Sequence, residues 1–142
     1  MKIRNATDSD LAAMYAVDPI AAENTSHKQH MHEWVNAGQA IVALTNDVVV
    51  GYAVLEYTFF SNGFMSMLMV DKASRRQGIA AALVKHLEEI CKTDKLFTST
   101  NESNKPMQGL MQSMSYEPSG TVYNLDEGDA ELFYVRRLEG NC

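Results

Sequence analysis

The chain has 142 residues, of which 46% are hydrophobic and 21% charged, and its formal net charge is −6. This length and composition fit one globular domain over residues 1–142 and argue against wholesale disorder. The acidic balance disfavours a nucleic-acid or anionic-membrane binder, because phosphate affinity is built from clustered Lys and Arg. With only two cysteines, Cys91 and Cys142, and no apolar run of membrane-spanning length, we expect a soluble, cytoplasmic, reduced protein without a disulfide framework or a metal site.

The start of the chain predicts one strand followed by two helices. Residues 2–6 have the character of a short strand, and Thr7 is suited to cap a first helix that Pro19 ends. A second helix is expected over residues 28–36, closed by Gly38.

A block of strands is expected next, because this segment is rich in β-branched and aromatic residues. Turn chemistry separates three strands, at residues 39–44, 48–60 and 64–70, with the turns at 46–47 and 61–63. The third strand is apolar on both faces apart from Ser66, so we expect it to lie in the centre of a sheet and to be covered on both sides.

From Gly78 the apolar period changes from two to 3.6, which predicts an amphipathic helix. The apolar stripe of this helix is expected to be Ala80, Leu83, Val84, Leu87 and Ile90, with Lys85, Glu88, Glu89 and Lys92 facing water. The remaining elements are a strand at 95–100, a helix opening at Lys105, and two strands at 120–124 and 130–138. The order β-α-α-β-β-β-α-β-α-β-β predicts an α/β fold with a mixed sheet and helices on both faces.

The segment R-R-Q-G-I-A, which follows the predicted buried strand and opens a helix, carries the clearest chemistry. A helix N-terminus leaves several N–H groups unpaired and carries a partial positive charge, so it attracts anions. Gly78 lets a phosphate approach the backbone, and Arg75 and Arg76 add positive charge. From this segment alone, a basic surface pair before a core helix is an equally good interpretation.

Two motifs together resemble the GNAT superfamily of acyl-CoA-dependent acetyltransferases. The string R-x-x-G-x-A resembles the family's pyrophosphate loop, and N-K-P-M-Q-G-L-M-Q-S-M-S-Y resembles the family's later helix in the same register. The order of strands and helices also matches, so the resemblance covers nearly the whole chain. It implies the GNAT fold, in which helices flank a mixed, mostly antiparallel central sheet on both faces.

By this resemblance the cosubstrate is acetyl-CoA, with its pyrophosphate on backbone N–H groups of residues 76–81 and its pantetheine arm along the end of a strand. The implied cofactor-binding residues are Met69, Val70, Arg75, Arg76, Gln77, Gly78, Ile79, Ala80, Ala81 and Asn104. Asn104 precedes Lys-Pro and is also a good helix N-cap, and both roles are compatible.

The chain departs from the family pattern at three positions. Met111 stands where the family has its general acid, a Tyr, and Ser66 stands on the central strand where many relatives have a Glu base. Ser115 replaces the usual Gly after the last helix, which predicts a less well capped helix end. We take Glu56 as the candidate base and Tyr116 as the candidate acid, with Tyr123 as a further alternative. A departing thiol with a pKa near ~8.5 also leaves as thiolate without an acid.

The resemblance implies transfer of an acetyl group to a primary amine, on a small molecule or a protein, by direct attack and without a covalent enzyme intermediate. The alternative is a catalytically weak or inactive acyl-CoA-binding sensor, favoured by the missing Tyr and strand Glu. Flexible Met65, Met67 and Met69 favour a third hypothesis, the transfer of a longer acyl group. Exposed edges of the C-terminal strands make a homodimer an expectation as well.

Three further groups of residues have two interpretations each. His27, His30 and His32 have metal-like spacing, but no ligand set completes a site, and a solvated helix or acceptor-site lid is favoured. The aromatic residues of the predicted hairpin either line an acceptor pocket or fill the core; they are Tyr57, Phe59, Phe60 and Phe64. The acidic residues of the last loop either attract a cationic substrate or are simply solvated; they are Asp126, Glu127, Asp129 and Glu131.

Overall fold

In the computed structural model, residues 1–138 are described, and their strands and helices follow the predicted order. The elements are β1 (Lys2–Asn5), α1 (Leu11–Val17), α2 (Thr25–Asn36), β2 (Ala40–Thr45), β3 (Val48–Phe59), β4 (Asn62–Val70), α3 (Ile79–Ile90), β5 (Lys95–Asn101), α4 (Lys105–Ser113), β6 (Glu117–Asp126) and β7 (Asp129–Arg137). Short 3₁₀ turns at Asp8–Asp10 and Lys72–Ser74 precede α1 and α3. Cys142, the second of the two cysteines, lies outside the described residues.

The strands form one sheet in the order β1-β2-β3-β4-β5-β7-β6. β2 pairs antiparallel with β1 and β3, and β7 pairs antiparallel with β5 and β6. β4 and β5 pair in parallel, from Gly63 opposite Leu96 to Met65 opposite Thr98. The mixed, mostly antiparallel sheet expected from the sequence is therefore confirmed.

The chain divides into two compact units. The N-terminal unit comprises Met1–Leu55 and Met67–Leu87, and the C-terminal unit comprises Glu56–Ser66 and the described residues from Glu88 onward. Strands β3 and β4 contribute to both units, as does α3, whose last turn from Glu88 belongs to the second, whereas α4 lies wholly in the second. One domain over residues 1–142 stays a prediction.

Helices cover both faces of the sheet in the N-terminal unit. The Gly51 backbone in β3 faces Ile79 and Leu83 of α3. The next residue, Tyr52, points to the opposite face because side chains alternate along a strand, and it belongs to a buried core that includes Met14 of α1 and Met31 of α2. The layered arrangement expected from the sequence is confirmed here.

Asp18, only 1% exposed, ties the segment between α1 and α2 to β3. Its carboxylate accepts hydrogen bonds from the Tyr52 hydroxyl, from His27 Nε2 at 2.7 Å and from the Ile20 N–H at 3.0 Å. Burial, together with the hydrogen bond to Asp18, raises the pKa of Tyr52 well above its ordinary value. Three donors compensate for the cost of removing this carboxylate from water.

Two element boundaries differ from the sequence prediction. Helix α2 begins at Thr25, three residues before the predicted start at residue 28, because the Asn24 side chain accepts the His27 N–H at 3.0 Å and caps it there. The second hairpin turn lies on Phe60 and Ser61, whose φ values are 51° and 63°, and not on residues 61–63. The first turn, by contrast, is confirmed at Asn46 and Asp47, with φ values of 52° and 64°.

The exposure of β4 and of the end of α3 differs from expectation, and β6, exposed as expected of an edge strand, differs in its length. β4 is central in the sheet but is not covered on both sides, since only Gly63 and Met65 are buried and the other residues are half-buried. Ile90 is 43% exposed at the end of α3, and the buried residue at its other end is Ile79. β6 is an edge strand of ten residues, twice the predicted length, and every one of its residues is exposed.

Helix α4 ends in a motif that places Ser115 in the left-handed region, with φ of 65°. The Ser115 N–H donates to the Gln112 carbonyl at 3.1 Å, and the Tyr116 N–H donates to the Met111 carbonyl at 2.9 Å. This pair of bonds is the Schellman pattern, so the helix end is hydrogen-bonded in full. Having Ser115 in place of the usual Gly therefore keeps these hydrogen bonds, and its cost is the backbone strain of one left-handed residue.

We predict that Ser115→Gly stabilises the protein by about 1 kcal/mol, because the left-handed conformation costs roughly 1–2 kcal/mol for a residue with a Cβ. Thermal unfolding measures this change, which corresponds to a rise in Tm of about 2–4 °C for a chain of this size. The matched control is Ser113→Gly, within α4, which is expected to lower Tm. A Ser115→Gly protein that melts no higher than wild type would contradict the strain at this position.

Candidate active site

The end of β4 and the start of α3 form one continuous loop in the N-terminal unit. The Asp71 N–H donates to the Val50 carbonyl at 2.7 Å, which holds the loop's first residue against β3. Arg76 and Gly78 have positive φ values, 66° and 78°, and the Gly78 carbonyl accepts the Ala82 N–H at 3.0 Å as α3 begins. These two left-handed residues turn the chain from the loop into the helix.

The loop presents unpaired N–H groups on an open surface. The first N–H groups of α3, which begins at Ile79, have no partner within the helix, and the N-terminus carries a partial positive charge. A Cβ added to Gly78 would meet no atom within 4 Å, so the space beside its backbone is open. The predicted loop residues Arg75, Arg76, Gln77 and Gly78 are all exposed, while Ile79, at 3% exposure, anchors the helix in the core.

Gly51 is a residue of this region that the sequence analysis missed. A Cβ at Gly51 would lie 2.7 Å from the Met69 carbonyl oxygen, 3.3 Å from a Leu83 methyl and 3.4 Å from an Ile79 methyl. Only glycine therefore lets β3, the end of β4 and the first turns of α3 come together. An isolated Gly inside a strand often marks such a close approach, so V-V-V-G-Y-A-V carried a usable signal.

The end of β4 is partly open along its length. Met69 and Val70 are half-buried, and the side chains of Met67 and Met69 pack against the core around Tyr52. Met65, by contrast, is 3% exposed. These contacts are ordinary apolar packing for the three methionines, and the preference for a longer acyl group stays a prediction.

Glu56 and Ser66 form a direct pair in the C-terminal unit. The Ser66 hydroxyl donates to Glu56 Oε1, and both side chains are half-buried. Where the resemblance to the GNAT family implies a Glu on the central strand, this chain has Ser66, which donates a hydrogen bond to a Glu of β3. The sequence is compatible with a functional Glu56 and with a Glu56 on a solvated strand face. The hydrogen bond from Ser66 fixes one of the two carboxylate oxygens of Glu56.

Tyr116 is a buried residue whose hydroxyl joins a partly buried ion pair. Its side chain is 5% exposed, and its hydroxyl donates to Glu88 Oε2 at 2.6 Å, which lies 3.7 Å from Arg136 Nε. Glu88 therefore does not face water as the helical period predicted. Burial, with the hydrogen bond to Glu88, raises the pKa of Tyr116 well above its ordinary value. The hydroxyl holds its proton tightly, which weakens its candidacy as a general acid.

The other predicted positions divide between structural contacts and open surface. Asn104 caps α4, since its side chain accepts the Met107 N–H at 3.2 Å, which confirms its N-cap role; its role toward CoA stays a prediction. Met111 is fully buried, as its place in the apolar stripe predicts. Tyr123 is 69% exposed on β6.

Two histidines of α2 make contacts with other side chains. His27 bonds to Asp18, and the His30 ring lies 6.0 Å from the Trp34 ring, centroid to centroid. Within residues 1–138, no three His, Cys, Asp or Glu side chains are arranged to hold a metal ion.

Comparison with known proteins agrees with the family and the fold that the sequence predicts. The model of the Acetyltransferase (GNAT) family matches residues 9–116, and the chain therefore belongs to the GNAT acetyltransferase family. A GNAT-family acetyltransferase from Bacillus cereus ATCC 10987 is 29% identical and superposes with a TM-score of 0.90, over 96% of each chain. Among the curated proteins, no sequence match was found.

Two further solved structures share the fold. The ribosomal-protein-alanine N-acetyltransferase of Brucella melitensis is 25% identical, with a TM-score of 0.76 over 97% of this chain and 100% of that one. YncA of Salmonella typhimurium, a putative acetyltransferase solved with its cofactor acetyl-CoA, is 16% identical, with a TM-score of 0.77 over 98% and 94% of the chains. Acetyl-CoA is the cosubstrate that the GNAT fold uses, as the motifs predicted. None of the helices in residues 1–138 is long and apolar enough to cross a membrane.

We predict that Gly51→Ala destabilises the protein by about 1–3 kcal/mol, because the added methyl group would overlap a backbone carbonyl that has no rotamer by which to move away. The measurement is the free energy of unfolding in urea. Gly109→Ala in α4 is the matched control; its Cβ would meet nothing within 4 Å, so it is expected to be neutral or to stabilise the protein. Equal stabilities for the two variants would show that the approach of β4 to Gly51 is not tight.

Proposed function

We propose that the protein transfers an acetyl group from acetyl-CoA to a primary amine by direct attack. The observation that carries the proposal is the continuous segment from Met69 to Ala81. It combines an accessible strand end, an open loop at Gly78 and the unpaired N–H groups of α3. Membership of the GNAT family supports the same reaction.

The residues of this segment fit the parts of acetyl-CoA in order. The N–H groups of residues 76–81 would hold the pyrophosphate, with the exposed Arg75 and Arg76 side chains adding charge. The backbone of Met69 and Val70 would pair with the amides of the pantetheine arm. A contact of Asn104 with the cosubstrate stays a prediction of the family resemblance. When bound, acetyl-CoA supplies an acetyl thioester, whose carbonyl oxygen would be polarised by a backbone N–H near Met69.

Glu56 is the proposed general base. An ammonium of pKa ~10.4 must lose a proton before it attacks, which costs about 4–5 kcal/mol at neutral pH. The Ser66 hydroxyl, by donating to one oxygen of Glu56, fixes the carboxylate and leaves its other oxygen to accept the proton. Ser66 is thus a positioning residue, and the pair replaces the single Glu of many relatives.

The sulfur of CoA is proposed to leave as a thiolate. A thiol pKa near ~8.5 makes departure without an acid feasible, although a general acid typically adds about 10²–10⁴-fold. The Tyr116 hydroxyl already donates a hydrogen bond to Glu88, and the pKa of Tyr116 is raised. We therefore assign Tyr116 a structural role.

We predict that Glu56→Gln lowers kcat by about 10²–10⁴-fold, because the amide cannot accept the proton of the ammonium. The Kd for acetyl-CoA, measured by titration calorimetry, is expected to stay within about twofold, since the cofactor-binding loop is untouched. The reaction is followed by CoA thiol release, with the mass of the acetylated amine confirmed. Unchanged turnover in Glu56→Gln would remove Glu56 from the mechanism.

Tyr116→Phe distinguishes the two routes for the leaving group. We expect kcat to stay within about threefold of wild type, because a thiolate needs no proton from Tyr116. The melting temperature is expected to fall, since Glu88 loses a buried hydrogen bond. A fall in kcat as large as that of Glu56→Gln, in a folded protein, would instead make Tyr116 the acid.

A CoA-binding sensor without turnover is the second candidate function. The fully buried Met111 favours it, since the side chain at the family's acid position can donate no proton. Acetyl-CoA would raise Tm under either hypothesis, because any ligand of the native state stabilises it. Amine-dependent turnover separates the two.

We also propose that the protein is cytoplasmic, where the released CoA thiol stays reduced. We further propose that it forms a homodimer. The dimer is supported by β6, an exposed edge strand with a row of unpaired backbone groups and the exposed apolar side chains of Val122, Tyr123 and Leu125. The molar mass in solution tests the dimer directly.

A further inference from the structure

One face of the sheet in the C-terminal unit is left partly open. Along β5, from Lys95 to Asn101, every second residue is buried and the residues between them are half-buried. The buried set faces a packed layer, and the half-buried set faces the other way. The half-buried residues of β5 are Lys95 at its start, followed by Phe97, Ser99 and Asn101.

Four phenylalanines form the floor of this face. The Phe59 ring lies 5.0 Å from Phe64, 5.1 Å from Phe97 and 5.6 Å from Phe133, measured between centroids, and Phe133 is stacked on it. All four side chains are half-buried. Gly120 lies opposite Phe133 on β6, and a Cβ there would meet nothing within 4 Å, so the space at Gly120 is open.

A carboxylate without a cationic partner borders the rings. Glu131 is two residues from Phe133 on β7, so the two side chains share a face. Its oxygens accept hydrogen bonds from the Ser99 hydroxyl at 2.6 Å and the Asn101 amide at 3.2 Å, which are both neutral donors. Among residues 1–138, no Lys, Arg or His forms an ion pair with Glu131. The charge of this half-buried group is held in place but not neutralised.

The proposed base lies on the same face. Burial alternates from Gly63 to Ser66 along β4, which places Ser66 with Phe64 on the half-buried side. Phe64 is opposite Phe97 in the parallel pairing, whose last pair is Met65 and Thr98. The next residue on each strand is a serine: Ser66 holds Glu56, and Ser99 holds Glu131. Each carboxylate is therefore held on this face by a serine two residues beyond Phe64 or Phe97, and in the register of β5 with β7 Glu131 itself is opposite Asn101, next to the Ser99–Phe133 pair on the same face.

We propose that this face is the acceptor site and that it takes a primary monoamine with an aromatic or compact apolar body close to the ammonium. This inference rests on the proposed acetyl transfer. The ammonium lies between Glu56 and Glu131, and the apolar body covers the phenylalanine rings. Glu131 attracts and orients the cation but takes no proton, whereas a long polyamine has no compact apolar body close to its amine to bury against the rings.

The probe is phenethylamine, which has an aromatic ring two carbons from its amine. Its Kd is measured by titration calorimetry in the presence of CoA, where no transfer occurs, and its KM in the acetylation assay. Glu131→Gln is expected to raise both by about tenfold, with kcat and the Kd for acetyl-CoA within about twofold. Phe133→Leu is expected to raise both by about fivefold through loss of ring contacts.

Glu127→Gln is the matched control, because it removes the same charge from the exposed β6–β7 turn and should leave Kd within about twofold. Amine binding that responds to Glu131→Gln but gives no acetylated product would support this site and reject the acetyl transfer. If amines are acetylated but neither Glu131→Gln nor Phe133→Leu changes their KM, the proposed acetyl transfer would be supported and this acceptor site would be overturned. Preference for spermidine over phenethylamine, or equal effects of Glu127→Gln and Glu131→Gln, would overturn it as well.

Discussion

The close approach of the Met69 carbonyl to Gly51 is the contact on which the candidate acetyl-CoA site depends. With no side chain at Gly51, the end of β4 and the first turns of α3 both pack against the same point of β3, and the Met69 carbonyl oxygen lies so close that it excludes a methyl group. The loop between β4 and α3 therefore spans two fixed ends, and its start is held by the bond from Asp71 to Val50. Because both ends of the loop are fixed, this packing sets the distance between the open N–H groups near Gly78 and the half-buried residues Met69 and Val70.

In the C-terminal unit, the residues that depart from the family pattern are accommodated by their neighbours. Ser66 in place of a Glu holds Glu56, and Ser115 in place of Gly keeps the helix-ending hydrogen bonds at the cost of a left-handed residue. Met111 in place of the acid is fully buried, and Tyr116 is tied to Glu88. In the proposed mechanism, catalysis would rely on one positioned base, on backbone donors and on a good leaving group.

Local chemistry made much of the fold predictable. The Asn46–Asp47 turn, the Asn104 cap and the loop around Gly78 depend on residues close together in sequence, and all three lie where their residue types predict. The turn at Phe60–Ser61 and the start of α2 were missed, because bulky residues rarely adopt positive φ and because Asn24 offers a cap that periodicity does not reveal. Contacts between distant residues could not be read from spacing: Tyr52 with Asp18, Ser66 with Glu56, and Ser99 with Glu131 are 34, 10 and 32 residues apart.

The most direct test of the account is the stoichiometry of CoA thiol release from acetyl-CoA over a broad panel of amines, with product masses determined. The panel includes arylalkylamines, amino acids, polyamines, aminoglycosides and peptides with free N-termini. The account predicts that amines of one class release CoA and gain one acetyl group for each thiol freed. Tight acetyl-CoA binding without amine-dependent thiol release across the panel would contradict it and would favour a sensor of acyl-CoA.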